Sequence, residues 1–438
     1  MDLPPPPRTA WHDTYQRLVF DTLTSSRYVL DQQGQQATVT LPGLFPSTTL
    51  DIDVPGDHLH LVSRGHTLQV TSQAGPLHVN VMTVQSGGKA RLAVDVYPAS
   101  TWLPYQPPAG VPCALGQGGT NVSYQAPTFA SGEIGFYLAQ IDPQTLSPIK
   151  VIQHNADALF PLASTFKAMT LWGALRDVDA GRLTLNQMYD VTLRNRSIEA
   201  YQPGPRTLLN LLQQMIKRSE NTAADIVQGA VGAERLQQLV TSQGSCNTTV
   251  RISTKAWWAA QGGLLPDVFG TSLPTGAAAY FAAPDADQAQ TAAQAIQSAM
   301  NFTPSQVDDN LNRYFSSSLY SPQLDVQLQN HSTAREWAAL IARLYLKNGL
   351  SDSSQTLLRT IMSSGCCTKP GPQYWGSKAG SGWRLLTMSG LLQVNGSFYV
   401  YSYLNHGSDI MDTDHLEGQL PQVSAYILSS IQRLQPRP

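Results

Sequence analysis

The sequence predicts two domains: a small antiparallel β domain, then an α/β domain whose antiparallel sheet is assembled from both ends of its segment around an all-helical subdomain. Three observations predict this. Residues 37–97 alternate apolar and polar side chains, residues 104–128 are rich in proline and glycine, and beyond them strand-like runs at both ends enclose a long helical middle. A chain of 438 residues also exceeds what a single typical core fills. The expected division is a β-rich domain over 1–105, a linker over 106–128 and the α/β domain over 129–438, with an insertion at about 263–328.

The β domain is read from the runs ATVTL, TLDIDV, HLHLV, TLQVT, LHVNVMTV and RLAVDVY, separated by the turn formers PG, RGH, SQAGP and QSGGK. The preceding TYQRLVFDTLTSSRYVL fits a helix or a first strand, and its pattern does not decide between them. His58, His60 and His78 fall on strand-like positions. A metal site needs three or four converging ligands, so none is expected there. Nothing in this domain reads as catalytic, which leaves it the binding of an unidentified partner. In the second domain EIGFYLAQID and VIQHNADALF read as strands, and helices follow to about residue 365. Strands return at RLLTMSGLLQV and GSFYVYSYLN, and LPQVSAYILSSIQRLQ closes as an amphipathic helix. Strands from both ends then share one sheet, and the site is expected between sheet and helices.

Composition narrows the partner. Only 13% of residues are charged, the net charge is −2, and no lysine or arginine run occurs. That excludes the electrostatic footprint of nucleic-acid binding and a polybasic membrane patch, and leaves a small molecule or a peptide. No stretch is long and apolar enough to span a bilayer. The start MDLPPPPRTAWHD has no signal-peptide core, so the protein is expected to be cytosolic or to have lost a leader. The four cysteines, Cys113, Cys246, Cys366 and Cys367, are too few for a disulfide scaffold and lack metal spacing. They read as small buried residues, with a bond between the neighbours or to Cys113 as the alternative in an oxidising compartment.

The chemistry is carried by FPLASTFKAMT, an apolar run in which Ser164 precedes Lys167 by three residues. The same spacing occurs at Ser86 and Lys89, inside the glycine turn QSGGK, and at Ser147 and Lys150, which flank Pro148. Helix is disfavoured at both. Only Ser164 and Lys167 have the helical setting that stacks residues three apart. A serine hydroxyl becomes a nucleophile when a base takes its proton. Lysine serves as that base when burial and a second cation pull its pKa down. The competing reading is a lysine snorkelling from a core helix.

Two further motifs shift the balance. IKRSENTAADIV places Ser219 and Asn221 two apart, and WGSKAGSG places Lys378 before a glycine-rich strand. In this order the three motifs resemble those of the class A serine β-lactamases and their penicillin-binding relatives, over roughly residues 130–438. GEIGFYLAQIDPQT resembles the family's first strand and turn, and ALRDVDAGRLTLNQ its helix end after the nucleophile. The resemblance implies that Ser164 is acylated, Lys167 is its base, and Ser219 relays a proton to the leaving nitrogen. It further implies that Asn221 holds the substrate's amide side chain and Lys378 draws in its carboxylate. Tyr201, with Pro203, forms a wall. Gly380, Ser381 and Gly382 line the substrate strand, and the N–H groups of Ser164 and Ser381 hold the oxyanion. No cofactor or metal is implied, and the family setting is periplasmic or secreted.

The sequence departs from the family pattern at three places. Glu220 replaces the usual aspartate of the second motif. Ala379 stands where the third motif has threonine or serine, with Ser381 on the same strand face as a partial replacement. The stretch VRISTKAWWAAQGG, read as the loop that should carry the deacylating glutamate, contains no acid. Beyond it lies the insertion, helical in character and expected to act as a lid. Asp267, Asp285, Asp287, Asp308 and Asp309 are substitute bases in principle, although turns and helix caps are the commoner use of aspartate. Two functions follow: a serine acyl hydrolase acting on a β-lactam, a D-alanyl peptide or an ester with slow deacylation, or a binding module that retains the fold without catalysis. The intact Ser164, Lys167, Ser219, Asn221 and Lys378 favour the first.

Overall fold

The computed structural model describes residues 5–12, 14–21, 28–86, 89–98, 105–198, 201–315, 317, 320–363 and 371–435. The chain groups into two compact units. One comprises Met1–Gln106, Gly382–Arg384 and Gly407–Gly418, and the other Pro107–Ser381, Leu385–His406 and Gln419–Pro438.

In the first unit the alternating runs form β1 (Arg8–His12), β2 (Tyr15–Asp21), β3 (Val29–Gln33), β4 (Gln36–Val54), β5 (Asp57–Ser72), β6 (His78–Ser86) and β7 (Lys89–Tyr97). They pair as one sheet in the order β1-β2-β7-β6 and another in the order β3-β4-β5, antiparallel throughout. The ambiguous early segment is strand at β2, whose side chains alternate in burial; residues 22–27 lie outside the described residues. Period-two patterning sends Leu18, Phe20, Val79 and Val94 from one sheet and Val39, Leu61 and Val70 from the other into a common core. Each contributes about 1.5–3 kcal/mol by burial. Trp383 and Met411 pack with Met82 and Ala93, and the Arg384 guanidinium donates to the carbonyls of Ser408 and Gly407, which ties the two short C-terminal segments into this unit.

The histidines acquire acidic partners through the hairpin register. Asp53 faces His58 and Asp51 faces His60 across β4 and β5, with His58 Nδ1 and His60 Nδ1 each 2.7 Å from their carboxylates. His78 Nε2 lies 2.7 Å from Asp409. His58 Nε2 also lies 3.5 Å from Asp51, so His58 and His60 share that carboxylate.

The second unit holds β8 (Thr120–Asn121), β9 (Glu133–Ile141), β10 (Pro148–His154), β11 (Leu159–Pro161), β12 (Met188–Val191), β13 (Gly204–Thr207), β14 (His331–Thr333), β15 (Tyr374–Gly382), β16 (Leu385–Val394) and β17 (Ser397–His406). Its main sheet runs β15-β16-β17-β9-β10-β8. The β9 strand sits between β17 and β10, antiparallel to both, so the two ends of the segment meet there as the sequence predicts. Its helices are α1 (Lys167–Asp179), α2 (Leu208–Lys217), α3 (Asn221–Val231), α4 (Ala233–Thr241), α5 (Thr254–Gln261), α6 (Pro266–Phe269), α7 (Leu273–Ala282), α8 (Asp285–Ala299), α9 (Pro304–Phe315), α10 (Pro322–Leu328), α11 (Ala334–Leu346) and α12 (Asp352–Ser363), followed by a C-terminal helix, Leu420–Leu434. None of the described helices is long and apolar enough to cross a membrane.

The stretch read as a linker is fastened along this unit from Pro107 onward. Val111 N donates to Asn247 Oδ1 at 2.6 Å, and β8 pairs in parallel with β10. Cys113 and Cys246, read as small buried residues, are bonded to each other across 133 residues. Neither is buried, so covalent linkage and not packing accounts for them. Cys366 and Cys367 lie outside the described residues. The Glu336 carboxylate beneath the bond is almost fully buried. It accepts hydrogen bonds from Ser245 Oγ, Cys246 N and Asn247 N. Cys113, Cys246 and Glu336 are also the group among the described residues whose ligand atoms converge as a metal site requires, but the sulfurs are joined and the carboxylate is occupied by these donors.

A disulfide closing so long a loop stabilises mainly by restricting the unfolded chain, by about 2–4 kcal/mol. Reduction, or Cys246→Ser, is therefore expected to lower stability by about that amount in guanidinium unfolding of the oxidised and reduced protein. An unchanged midpoint would mean that the Glu336 contacts alone hold the segment.

Candidate active site

The turn that carries Ser164 follows β11. Leu162 N donates to Asn330 O at 2.8 Å. Ala163–Phe166 form a single 3-10 turn and Lys167 opens α1. From Leu159 to Leu175 every residue is buried except Ser164. The apolar run thus packs the turn on all sides and leaves one hydroxyl accessible. Ala163, immediately before it, has φ 43°, a left-handed backbone that costs about 1–3 kcal/mol for a residue other than glycine. Neither decoy pair lies on a helical turn. Ser86 faces Lys89 across the β6–β7 turn, and Lys150 Nζ donates to Leu434 O.

The second motif turns the chain from α2 into α3. Ser219 also adopts the left-handed region, φ 56°, and Glu220 caps α3 by accepting from Thr222 N and Ala223 N. The longer arm of glutamate serves here as a helix cap, and burial raises its carboxyl pKa against the lowering effect of those donors and of Lys167. The amine of Lys167, with no exposed surface, reaches this corner. It donates to Ser219 O, to Asn221 Oδ1 at 2.6 Å and to Ser219 Oγ at 3.3 Å. Lys378, 3% exposed, donates to the same Ser219 Oγ at 2.9 Å and to Ala379 O. Two amines from separate elements therefore converge on one hydroxyl, next to the turn that carries Ser164.

The third motif lies on β15, an edge strand of the sheet. Lys378 and Gly380 are buried while Ala379 and Ser381 are half-buried, so Ser381 shares the more open face with Ala379. A Cβ on Gly380 would sit 2.5 Å from Ser164 N and 2.9 Å from Ala163 Cβ. Only glycine lets the strand pack directly on the turn that carries Ser164. Thr387 Oγ1 bridges the two elements, 3.0 Å from Leu162 O and 3.2 Å from Gly380 O. Gly382 ends the strand. Tyr201 lies under the Arg206 guanidinium, 5.6 Å from the ring centroid. Burial raises its phenol pKa, and the nearby Glu220 adds to the rise.

The acid-free stretch after α4 is largely helix. Ser253 caps α5, Trp257 packs edge-on to Phe166 two residues after Ser164, and Asn330 Oδ1 accepts from Arg251 N and Ile252 N. A carboxylate does stand behind it, on α3. Asp225 accepts from Thr254 N at 2.8 Å, Lys255 N at 2.9 Å and Ser197 Oγ at 3.1 Å. Burial raises its pKa, opposed by these donors and by the charge of Lys167. Asp267, Asp285, Asp287, Asp308 and Asp309 are all exposed. Asp285 pairs with Arg251 at 2.6 Å, and Asp267, Asp285 and Asp287 occupy first turns of helices.

Four residues that matter here were not singled out from the sequence. Asp225 stands in SENTAADIV itself, six residues after Ser219, and a charge among alanines was its signal. Thr387, Asn330 and Glu336 act through contacts made only in the folded unit and leave no local pattern.

The profile of the beta-lactamase enzyme family matches residues 126–406. Comparison with curated protein sequences returns no match. Similar solved structures include a β-lactamase from Chitinophaga pinensis DSM 2588, 15% identical over 69% of this chain and 95% of that one, with a TM-score of 0.45. PBP-A is 19% identical over 69% and 90% of the two chains, with a TM-score of 0.44. A β-lactamase from Sphaerobacter thermophilus DSM 20745 is 16% identical over 70% and 93%, with a TM-score of 0.45.

Burial lowers the Lys255 pKa from 10.5 to about 8, partly countered by Asp225. Between those values the folded state binds fewer protons than the unfolded chain, so this lysine's contribution to stability rises with pH there. In Lys255→Met the rise should vanish. Urea unfolding of variant and parent at about pH 7.5 and about pH 9.5 reads it as a stability difference that moves against the variant with pH. A difference independent of pH would contradict the assignment.

Proposed function

The chain belongs to the beta-lactamase enzyme family, and on that footing we propose that it is a serine acyl hydrolase that forms an acyl-enzyme on Ser164 and releases it slowly. One observation carries this reading: the amines of Lys167 and Lys378 meet at the Ser219 hydroxyl, next to the one accessible residue of an otherwise buried turn. A binding module has no need to bury a lysine amine with acceptors on that hydroxyl, because burial without a use costs stability.

In the proposed reaction Ser164 Oγ attacks the substrate carbonyl carbon and its proton passes to Lys167 Nζ. The oxyanion rests on the N–H groups of Ser164 and Ser381. When the carbon–nitrogen bond breaks, the departing nitrogen takes the Ser219 hydroxyl proton, and the lysines restore it. Lys378 attracts the substrate carboxylate, Asn221 holds its amide, Tyr201 walls the opening, and Gly380, Ser381 and Gly382 give the strand along which the substrate lies. The substrate class is a β-lactam, a D-alanyl peptide or an ester.

Release needs a base for water, and the stretch 250–263, which forms α5 and presents the Thr254 and Lys255 backbone N–H groups, carries no carboxylate. Asp225 already accepts from both. The acyl-enzyme therefore persists, as in a penicillin-binding protein. The Cys113–Cys246 bond supports a periplasmic or secreted setting, since such bonds survive in oxidising compartments.

A fluorescent penicillin is expected to label the protein at one site, with label retained for minutes or longer, and Ser164→Ala should abolish it by gel and intact-mass analysis. If neither penicillins nor activated esters leave an adduct, the acyl-enzyme reading fails. Lys167→Ala should lower the acylation rate by at least about 100-fold, within the range of general-base contributions. A variant that acylates at the parent rate would remove Lys167 from the base role.

A further inference from the structure

Away from Ser164, a cavity of about 570 Å³ lies between the C-terminal half of α3, the start of α4 and the inserted helix α8. None of Ser164, Lys167, Ser219, Asn221 and Lys378 lines it. Its volume falls in the range of small-molecule sites, about 300–1,000 Å³. The α8 wall is mainly apolar, formed by Ala289, Ala292, Ala293, Ile296 and Met300 together with Gln297.

The opposite wall presents acceptors. Gln228 is 1% exposed. Its Nε2 donates to Arg251 O at 3.1 Å, while its Oε1 has no partner. Asp225, which also lines the cavity, takes three donors, from Thr254 N, Lys255 N and Ser197 Oγ. A carboxylate offers about four acceptor positions. The arginines of the wall are paired with carboxylates: Arg251 with Asp285 at 2.6 Å and with Glu234 at 3.6 Å, its Nε making no hydrogen bond, and Arg235 with Asp177 at 2.5 Å. Arg194 and Glu234, of opposite charge, are exposed. Where Gly229 faces the space, a Cβ would meet nothing within 4 Å.

We propose that this cavity binds a small organic ammonium ion, its N–H donors directed at Gln228 Oε1 and the Asp225 carboxylate and its apolar body laid against α8. A buried acceptor without a donor is costly, and a ligand that supplies the donor recovers that loss. The anionic alternative is disfavoured because the unfilled donor on the wall, Arg251 Nε, already lies 3.6 Å from the Glu234 carboxylate, whereas Gln228 Oε1 has no partner. The site sits one turn of α3 beyond Asn221, which accepts from Lys167, so an occupant bears on the helix that holds the catalytic amine.

The test uses 2-phenylethylammonium and, as a probe of similar size and opposite charge, 3-phenylpropanoate, titrated into the full chain by calorimetry and NMR. Saturable one-to-one binding of the ammonium is expected, with the carboxylate at least about tenfold weaker. Gly229→Phe and Ala293→Trp fill the space from opposite walls, and each should weaken ammonium binding by at least about tenfold. Two variants keep the test decisive should one fold poorly. The proposal is overturned if the parent shows no saturable ammonium binding, if the carboxylate binds as tightly, or if a folded, filled variant binds with parental affinity.

Discussion

Taking a lysine amine out of water is costly unless oxygen acceptors surround it, and Lys167 has no exposed surface. Its acceptors are Ser219 O, Ser219 Oγ and Asn221 Oδ1, all at the corner between α2 and α3. That corner must therefore be held in one shape. Ser219 takes a left-handed backbone, Glu220 secures the start of α3 as its cap, and Lys378 arrives on β15 to share the same hydroxyl. Breaking any of these leaves a buried polar group without its partner, so the site's chemistry and the unit's stability rest on the same contacts.

The turn that carries Ser164 is clamped with comparable economy. Gly380 brings β15 against Ser164 N, Thr387 joins Leu162 O to Gly380 O, and Asn330 ties Leu162 to the segment at Arg251 and Ile252. Held from three sides, the turn carries its strained Ala163 without relaxing. Asp225 is different in kind: it is engaged with the N-terminal N–H groups of α5, a use that stabilises a helix end. The amines of Lys167 and Lys378 thus share one hydroxyl, while Asp225 maintains structure.

Much of this was legible in the sequence wherever a feature is local and repeats. Period-two alternation located the strands of the first unit, because each strand buries one face. The stacking of residues three apart separated Ser164–Lys167 from its two decoys, because only one of the three pairs can form a helical turn. Long-range features left no such mark. Cys113 and Cys246 stand far apart in sequence, and the Pro/Gly-rich stretch read as a linker gave no sign of the Asn247 contact that fastens it. The segment VRISTKAWWAAQGG was read as a loop, and it forms a helix because Ser253 and Asp225 together satisfy its first N–H groups.

By itself, then, the sequence determined which residues can do chemistry: a serine and lysine on one turn, a serine and asparagine two apart, and a lysine before glycines. Each of these rests on spacing along a single element. Only the tertiary structure decided that both amines reach the same hydroxyl, that Glu220 is a cap, and that Asp225 is held by α5. Those outcomes depend on which elements pack together, and burial then rewards only the arrangements in which every buried donor and acceptor finds a partner.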